Sequence, residues 1–220
     1  MQIQQSRIIN RENEKVVIFD LYGTLVDWRS TINSFISFYA GNEYTEKFFE
    51  CDYREVVSYK PYSQILAKCL GEVFREAGIL YSQELVESFI LMFTRSPLFP
   101  DTIYALKTLQ KHGFKTAILS NTERKLVDIT LYGFRELFNY VITAEDVKAY
   151  KPSLDAFINA YRTIGVEPDN VIHVSAYPQY DLIPASKLGA KTILVDRRLG
   201  YSWPLKINSL VELTTYLIDL

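Results

Sequence analysis

The chain has 220 residues, of which 48% are hydrophobic and 23% are charged, and its formal net charge at pH 7 is −2. This composition is typical of a soluble globular protein that forms one large domain, or a core with a smaller insertion. Acidic and basic residues are mixed along the chain and no apolar run reaches roughly 18 residues, so we expect no nucleic-acid partner and no membrane association.

The N-terminus and the scarce cysteines and histidines limit the compartment and the kind of site. Residues 1–15 are polar and lack the apolar centre of a signal peptide, so we expect a frayed arm and a cytoplasmic protein. Cys51 and Cys69 have no CxxC spacing, and we predict that they are small apolar residues; a disulfide is the alternative. His112 and His173 are too few for a zinc site. His173 lies in an apolar strand, where a hydrogen-bonded structural role is expected.

The first predicted element is a strand over residues 16–19, which runs directly into Asp20 and a Gly23-Thr24 turn. Its continuous apolar run predicts a strand buried on both faces of a parallel sheet. Open α/β sheets bind ligands at the carboxyl edge, where such a strand ends. Asp20 is therefore expected at a ligand-binding edge, and an ordinary Asp/Gly turn is the alternative.

Residues 28–97 are predicted to be all-helical. Ser30 or Thr31 is expected to cap the first helix, and further helices are expected to begin at Pro61 and Ser82. Because no strand alternates with these helices, we predict a separate helical layer inserted after the first strand. The alternative is an α-rich segment of a single domain.

From Asp101, which is expected to cap a helix, strands and helices alternate. Predicted strands cover residues 114–119, 140–142, 171–174 and 191–195. A helix is expected from Asp181 to Leu188, and the chain ends with a helix over residues 210–217. Together with the first strand, this alternation predicts an α/β fold with a doubly wound parallel sheet of five strands.

Polar side chains follow several of these strands at the same edge of the sheet. Ser120 and Asn121 end the second strand, Ser175 ends a later strand, and Asp181 follows it. Lys151 lies in the loop before a predicted helix. One such residue is usually a helix cap, but the whole series in chain order is difficult to explain by capping alone.

The stretch from Val16 to Leu25 resembles motif I of the haloacid dehalogenase (HAD) superfamily, in which a hydrophobic strand runs into DxDGT. Tyr22 stands where the phosphatases of that superfamily have a second Asp, and Asp-x-Tyr-Gly-Thr is the form seen in the L-2-haloacid dehalogenases. The resemblance to motifs I to IV is carried in order by Asp20, Ser120, Lys151 and Asp181. It covers about residues 16–27 and 99–200, and Tyr150-Lys151-Pro152 adds to the likeness to the dehalogenase branch.

The resemblance implies a Rossmann-like catalytic core, residues 1–27 and 98–220, with a mobile helical cap over residues 28–97. It also implies that Asp20 is the nucleophile, which forms a covalent intermediate. Lys151 is expected to keep Asp20 ionised and to neutralise the substrate's anion. Asp181 is expected to orient or deprotonate the hydrolytic water. Thr24 and Ser120 can donate hydrogen bonds to a carboxylate or phosphate.

Two departures from the phosphatase pattern favour carbon–halogen cleavage. Tyr22 cannot readily protonate a leaving oxygen at neutral pH. Ala176 stands where phosphatases carry a carboxylate for Mg²⁺. Only Asp20 and Asp181 are then left as carboxylate ligands, which are few for a cation that prefers oxygen ligands. A halide leaves as a stable anion and needs neither acid nor metal. We therefore predict no cofactor, with weak Mg²⁺ binding only under the phosphatase alternative.

The dehalogenases that the chain resembles place an arginine in the cap to receive the halide. Arg54 is the candidate for receiving the halide, and a solvated helix-face arginine is the alternative. Tyr22, Asn121 and Ser175 complete the predicted substrate-binding set. Tyr177-Pro178 replaces the Ser-x-Asn of the dehalogenases, and Phe157 replaces their Tyr.

The leading hypothesis is hydrolysis of a short 2-haloalkanoic acid. A phosphatase for a small phosphomonoester is the runner-up, and a catalytically silent HAD fold that binds a metabolite or a partner protein is the third. The expected partner is a small anionic substrate, and a homodimer is left open.

Overall fold

A central parallel sheet organises the fold of the computed structural model, which describes residues 15–218. Residues 1–14, most of the predicted N-terminal arm, lie outside the described residues. The strands are β1 (Val16–Phe19), β2 (Lys115–Ser120), β3 (Tyr140–Thr143), β4 (Val171–Ser175), β5 (Lys191–Val195) and β6 (Lys206–Ile207). Their order is β3-β2-β1-β4-β5-β6, and every neighbouring pair is parallel. The α/β class and the parallel sheet are therefore confirmed, with six strands instead of five.

The additional strand, β6, pairs with β5 through only two residues, Lys206 and Ile207. A two-residue strand shows no periodicity. It also follows Trp203-Pro204, a segment with the composition of a loop. Its pairing is fixed by tertiary contact: the backbone N–H of Leu194 donates to Leu205 O at 2.9 Å.

The described part of the chain has ten α-helices. They are α1 (Trp28–Tyr39), α2 (Thr45–Glu55), α3 (Tyr62–Glu76), α4 (Gln83–Thr94), α5 (Thr102–Lys111), α6 (Arg124–Thr130), α7 (Ala144–Val147), α8 (Leu154–Ile164), α9 (Ile183–Lys187) and α10 (Leu210–Ile218). None of these helices combines the length and the apolar character that crossing a bilayer requires.

Alternate residues of β1 point to opposite faces of the sheet, as strand geometry requires. Val16 and Ile18 pack in a smaller core with Ala156 and Phe157 of α8. Val17 and Phe19 belong to a larger core that continues into the helical segment. Apolar cores on both faces explain the uninterrupted apolar run of β1.

Helices α1–α4 fill residues 28–94, and no strand of the sheet comes from that segment. The division of the chain into a core and a cap stays a prediction. The expected cap of α1 was wrong: its N-cap is Asp27, whose Oδ1 accepts from Ser30 N at 3.2 Å, so neither Ser30 nor Thr31 has that role. The helix begins earlier because Trp28 is buried edge-on against Phe49 and Phe93.

A disulfide joins Cys51 of α2 to Cys69 of α3, so the prediction of two apolar cysteines was wrong. Their Cα atoms lie 5.5 Å apart, and both side chains are buried. The spacing of 18 residues carries no disulfide signature. The pair forms because α2 and α3 pack side by side, which the linear sequence does not reveal.

Arg197 ties the loop after β1 to two distant segments. Its guanidinium forms a bidentate ion pair with Asp101, at 2.9 and 2.8 Å, and donates to Thr24 O. Asp101 also accepts from Leu210 N at 2.8 Å. Asp101 occupies the N-cap position of α5 as expected, but its side chain makes no capping bond there because it serves Arg197 and α10 instead. This ion pair therefore fixes the turn that contains Thr24.

Arg197→Ala should lower the free energy of unfolding by about 3 kcal/mol, because Asp101 would keep its largely buried charge without the opposite charge that balances it. Burial alone raises the pKa of Asp101, but Arg197 and the Leu210 N–H hold it below its usual value. The stabilisation is therefore present above pH ~4 and is lost as the pH falls further. Urea titrations at pH 7 and below pH 4 test this, with the exposed Arg198→Ala as control. A loss below about 1 kcal/mol at pH 7 would contradict the assignment.

Reducing the Cys51–Cys69 bond should lower the stability by about 3 kcal/mol, because a short loop is then released in the unfolded chain. Thiol titration of the unfolded, unreduced protein should detect no free thiol. Cys69→Ser should have the stability of the reduced wild type and should not respond to reductant. Two reactive thiols in the unreduced protein would refute the bond.

Candidate active site

Asp20 lies at the carboxyl end of β1, in the centre of the sheet. Its backbone N–H donates to Val174 O at 3.1 Å, which extends the pairing of β1 with β4. The side chain is buried; Oδ2 accepts from the Thr24 hydroxyl at 2.7 Å and Oδ1 from Lys151 Nζ at 2.9 Å. Both carboxylate oxygens are therefore oriented by the chain before any substrate binds.

Lys151 is 2% exposed, and all three of its Nζ donors are used. They reach Asp20 Oδ1 at 2.9 Å, Asp181 Oδ1 at 2.8 Å and Leu119 O at 2.8 Å. Asn121 clamps the Lys151 backbone: its Oδ1 accepts from Lys151 N at 2.7 Å and its Nδ2 donates to Lys151 O at 2.9 Å. Asn121 thus lines the cleft, but its amide positions the lysine.

Asp181 lies in a π-helical turn, Pro178–Leu182, that precedes α9. The helix expected over residues 181–188 is therefore shorter, and the wider turn points the carboxylate inward. Its Oδ1 accepts from Lys151 and from His173 Nε2 at 2.9 Å, and its Oδ2 accepts from the Ser175 hydroxyl at 3.0 Å. Ser175 and His173 accordingly position Asp181.

The two carboxylates differ in electrostatic environment although they share one ammonium group. Burial and the charge of Asp181 hold the pKa of Asp20 above its usual value, against the opposing effect of Lys151. Burial also tends to raise the pKa of Asp181, but Lys151 and His173 outweigh it and lower that pKa. Burial alone would lower the pKa of Lys151, and the two carboxylates raise it above its usual value. Lys151 is thus a cation at neutral pH.

A cleft of about 320 Å³ opens over Asp20. Its floor comes from the sheet edge: Asp20, Ser120, Asn121, Lys151 and Asp181. Its walls are rich in aromatic side chains from α1, α2, α3 and the loops, namely Trp28, Phe49, Tyr53, Tyr62, Tyr177, Tyr180 and Tyr201. A small polar floor beneath aromatic walls is suited to a small ligand with one anionic end.

Tyr22 and Ser120 line the cleft, but their hydroxyl groups already have partners. The ring of Tyr22 stacks on Phe93 at 4.3 Å, and its hydroxyl forms a 2.5 Å hydrogen bond with Thr130. Burial raises the pKa of Tyr22 well above its usual value. The Ser120 hydroxyl shares a 2.8 Å hydrogen bond with Thr122. Tyr22 therefore contributes its ring to the cleft, and its hydroxyl is not available as a proton donor.

The structure does not bring Arg54 to the cleft. Its side chain is 56% exposed and pairs with Glu72 at 2.6 Å and Glu55 at 3.5 Å. The arginine at the cleft is Arg29, whose guanidinium lies 3.7 Å from the ring centroid of Phe49. The sequence feature that could have identified Arg29 is its position, nine residues after Asp20 and in the first turn of the next helix, α1.

Asp52 also lies in the cleft and was missed. Residues 52 and 54 are two positions apart on α2, so they point in nearly opposite directions. Asp52 Oδ1 accepts from the Tyr62 hydroxyl at 2.8 Å. Burial raises the pKa of Asp52 to about 6, although Tyr62 and Arg29 oppose that shift. No motif marked this residue, and only its helical face could have indicated it.

The donor set does not fit the magnesium ion that phosphatases of this kind use. Asp20 and Asp181 are bridged by the Lys151 ammonium. Ala176, whose backbone N–H donates to Thr24 Oγ1, has no side-chain oxygen for a metal. Among residues 15–218, no group of three or more acidic, histidine or cysteine side chains is placed to hold a metal.

Phe157, which replaces the tyrosine of the dehalogenases, is a core residue. Its ring centroid lies 5.4 Å from that of His173, and it does not line the cleft.

The chain is similar to known dehalogenases and phosphatases over most of its length. The (S)-2-haloacid dehalogenase H-109 of Pseudomonas putida is 24% identical over 92% of this chain and 97% of its own. The glyceraldehyde 3-phosphate phosphatase of Methanothermobacter thermautotrophicus is 26% identical over 84% of this chain and 87% of its own. The L-2-haloacid dehalogenase structure from Xanthobacter autotrophicus matches with a TM-score of 0.83 at 20% identity, covering 94% of this chain and 99% of that one, and thus supports the fold.

The family model for haloacid dehalogenase-like hydrolases matches residues 17–195. That span contains Asp20, Lys151 and Asp181 as well as the helices between β1 and β2. The chain therefore belongs to the haloacid dehalogenase-like hydrolase family.

Proposed function

We propose that the protein hydrolyses a short 2-haloalkanoic acid through a covalent ester on Asp20. The observation that carries the proposal is the state of Asp20: a buried carboxylate held by Lys151 and Thr24 beneath an aromatic cleft. The hydroxyl of Tyr22 is bound to Thr130, so it offers no acid for a poor leaving group. A halide needs no such acid.

In the first step, a carboxylate oxygen of Asp20 attacks C2 and the carbon–halogen bond breaks, with the electron pair leaving on the halide. The substrate's carboxylate is bound by the Ser120 hydroxyl, which can accept the hydrogen bond from Thr122 and donate its own proton to the ligand. Arg29, at the opposite wall, provides the positive charge for the departing halide. The low-polarity aromatic walls strengthen both electrostatic interactions.

In the second step, water attacks the Asp20 carbonyl carbon, and the bond between that carbon and the ester oxygen breaks. The oxygen leaves on C2 and takes up a proton, which makes it the hydroxyl group of the hydroxyacid. Lys151 and Thr24 face the carboxylate oxygens and stabilise the developing negative charge. Asp181, kept ionised by Lys151 and His173, orients the water and receives its proton. No metal or other cofactor is assigned to either step.

Oxygen labelling tests the nucleophile. In a single turnover of excess enzyme in ¹⁸O-water, the hydroxyacid formed from 2-chloropropionate should be mainly unlabelled, because its new oxygen comes from Asp20. Asp20→Asn should lose turnover on the order of 10⁴-fold, since a neutral amide is a poor nucleophile. Label in the first-turnover product, or near-normal turnover by an Asp20→Asn protein that mass spectrometry shows has not reverted to Asp, would refute the proposal.

Phosphate release from an aryl phosphate with Mg²⁺, measured in parallel, tests the phosphatase alternative. Its support is the curated phosphatase relative. Metal-independent halide release supports the dehalogenase. Activity in neither assay would favour a silent fold that binds a metabolite or a partner.

Two arginines of the helical segment form a matched pair for testing the halide site. Arg29→Ala should lower kcat/KM for 2-chloropropionate by about 10²-fold, because it removes a charge from the cleft wall. Arg54→Ala removes the same charge from a solvated ion pair with Glu72 and should stay within about twofold. Steady-state halide release distinguishes them; equal losses would contradict the assignment of Arg29.

A further inference from the structure

We propose that Asp52 determines substrate specificity by accepting a hydrogen bond from a hydroxyl or amino group on C3 of the 2-haloacid. The inference deepens the proposed function and rests on it. It assigns recognition of the substrate's distal end to α2, whereas the reacting end is held at the sheet edge by Asp20 and Lys151.

The position of Asp52 is fixed by its neighbours. Phe49, Asp52 and Tyr53 of α2 line the cleft, as does Val56 directly after the helix. The disulfide at Cys51 joins this turn of α2 to α3. One oxygen of Asp52, Oδ1, is anchored by the Tyr62 hydroxyl at 2.8 Å. Among the described residues, no hydrogen bond or ion pair of the structure engages Oδ2, which is left for a ligand.

Arg29 does not neutralise Asp52 through a direct ion pair. The guanidinium of Arg29 lies over Phe49 and its ion-pair partner is Glu46, at 3.5 Å. The carboxylate of Asp52 is therefore placed among aromatic side chains with one neutral donor. Such a carboxylate costs stability, which agrees with its raised pKa of about 6. A costly polar group that faces a cleft is typical of a binding residue.

The chemistry of Asp52 selects the kind of substrate. At neutral pH its carboxylate is mainly ionised and only accepts hydrogen bonds. The matching substrate group is an O–H or N–H, and the aromatic rings around it also suit a cationic amine. A substrate that lacks the donor would leave a desolvated carboxylate unpaired, which is strongly unfavourable.

An isosteric substrate pair tests the inference. For the wild type, kcat/KM should be at least about tenfold higher for 2-chloro-3-hydroxypropionate than for 2-chlorobutyrate, mainly through KM. Asp52→Leu, which removes the acceptor oxygen, should bring the two values within about twofold. Glu50→Gln, on the exposed face of the same helix, is the control.

Tyr62→Phe distinguishes recognition from a merely structural role, because it removes the anchor of Asp52 and leaves its carboxylate. The preference for the hydroxylated substrate should survive in Tyr62→Phe, and its loss there would overturn the assignment. Equal kcat/KM values for the two substrates in the wild type, or an unchanged preference in Asp52→Leu, would also overturn it.

A binding measurement separates failure of this inference from failure of the proposed function. If the wild type releases no halide from either substrate, the dehalogenase proposal fails, and calorimetry with glycerate and 2-hydroxybutyrate then tests Asp52 alone. Glycerate should bind the wild type at least about tenfold more tightly, and Asp52→Leu should abolish the difference. Equal binding, or no binding of glycerate, would overturn the inference.

Discussion

The site depends on one ammonium group, Nζ of Lys151, placed between the carboxylates of Asp20 and Asp181. Two buried carboxylates so close together would otherwise favour protonation of one of them. The arrangement requires the parallel sheet: β1 ends at Asp20, and its neighbours β2 and β4 bring Leu119 O and Ser175 to the same edge. The parallel sheet therefore also determines how the charges of the site are balanced.

The core and the helical segment make different contributions to the cleft. The sheet edge supplies reactive groups whose donors and acceptors are already paired, so their geometry is set before substrate binds. The helices supply Arg29, Asp52 and most of the aromatic walls. Of the two Asp52 carboxylate oxygens, only Oδ1 has a hydrogen-bond partner among the described residues. Substitutions on α2 can therefore change the polar groups of the cleft wall without altering Asp20, Lys151 and Asp181 at the sheet edge.

The buried strands and the position of Asp20 were predictable because an apolar run ending in a polar residue is a local pattern. Lys151 and Asp181 lie outside the strands and were singled out by their order along the chain and by the resemblance of the motifs. What sequence reasoning missed depends on tertiary contact. Strand β6 is too short to show a period, Asp27 caps α1 because Trp28 is buried, and Cys51 meets Cys69 across two helices. Arg54 was chosen because the dehalogenases place an arginine in this stretch of the cap, although Asp52 lies on the helix face that lines the cleft.

The Cys51–Cys69 disulfide limits the redox conditions under which this structure persists. Disulfides persist in oxidising surroundings and in the cytosol of some hyperthermophiles, whereas the glutathione pool of most cells keeps thiols reduced. The cytoplasmic location predicted from the N-terminus is thus compatible with this bond only in a cell that tolerates internal disulfides. In a reducing cytosol the link between α2 and α3 would open, and the helix that carries Asp52 would lose a covalent restraint.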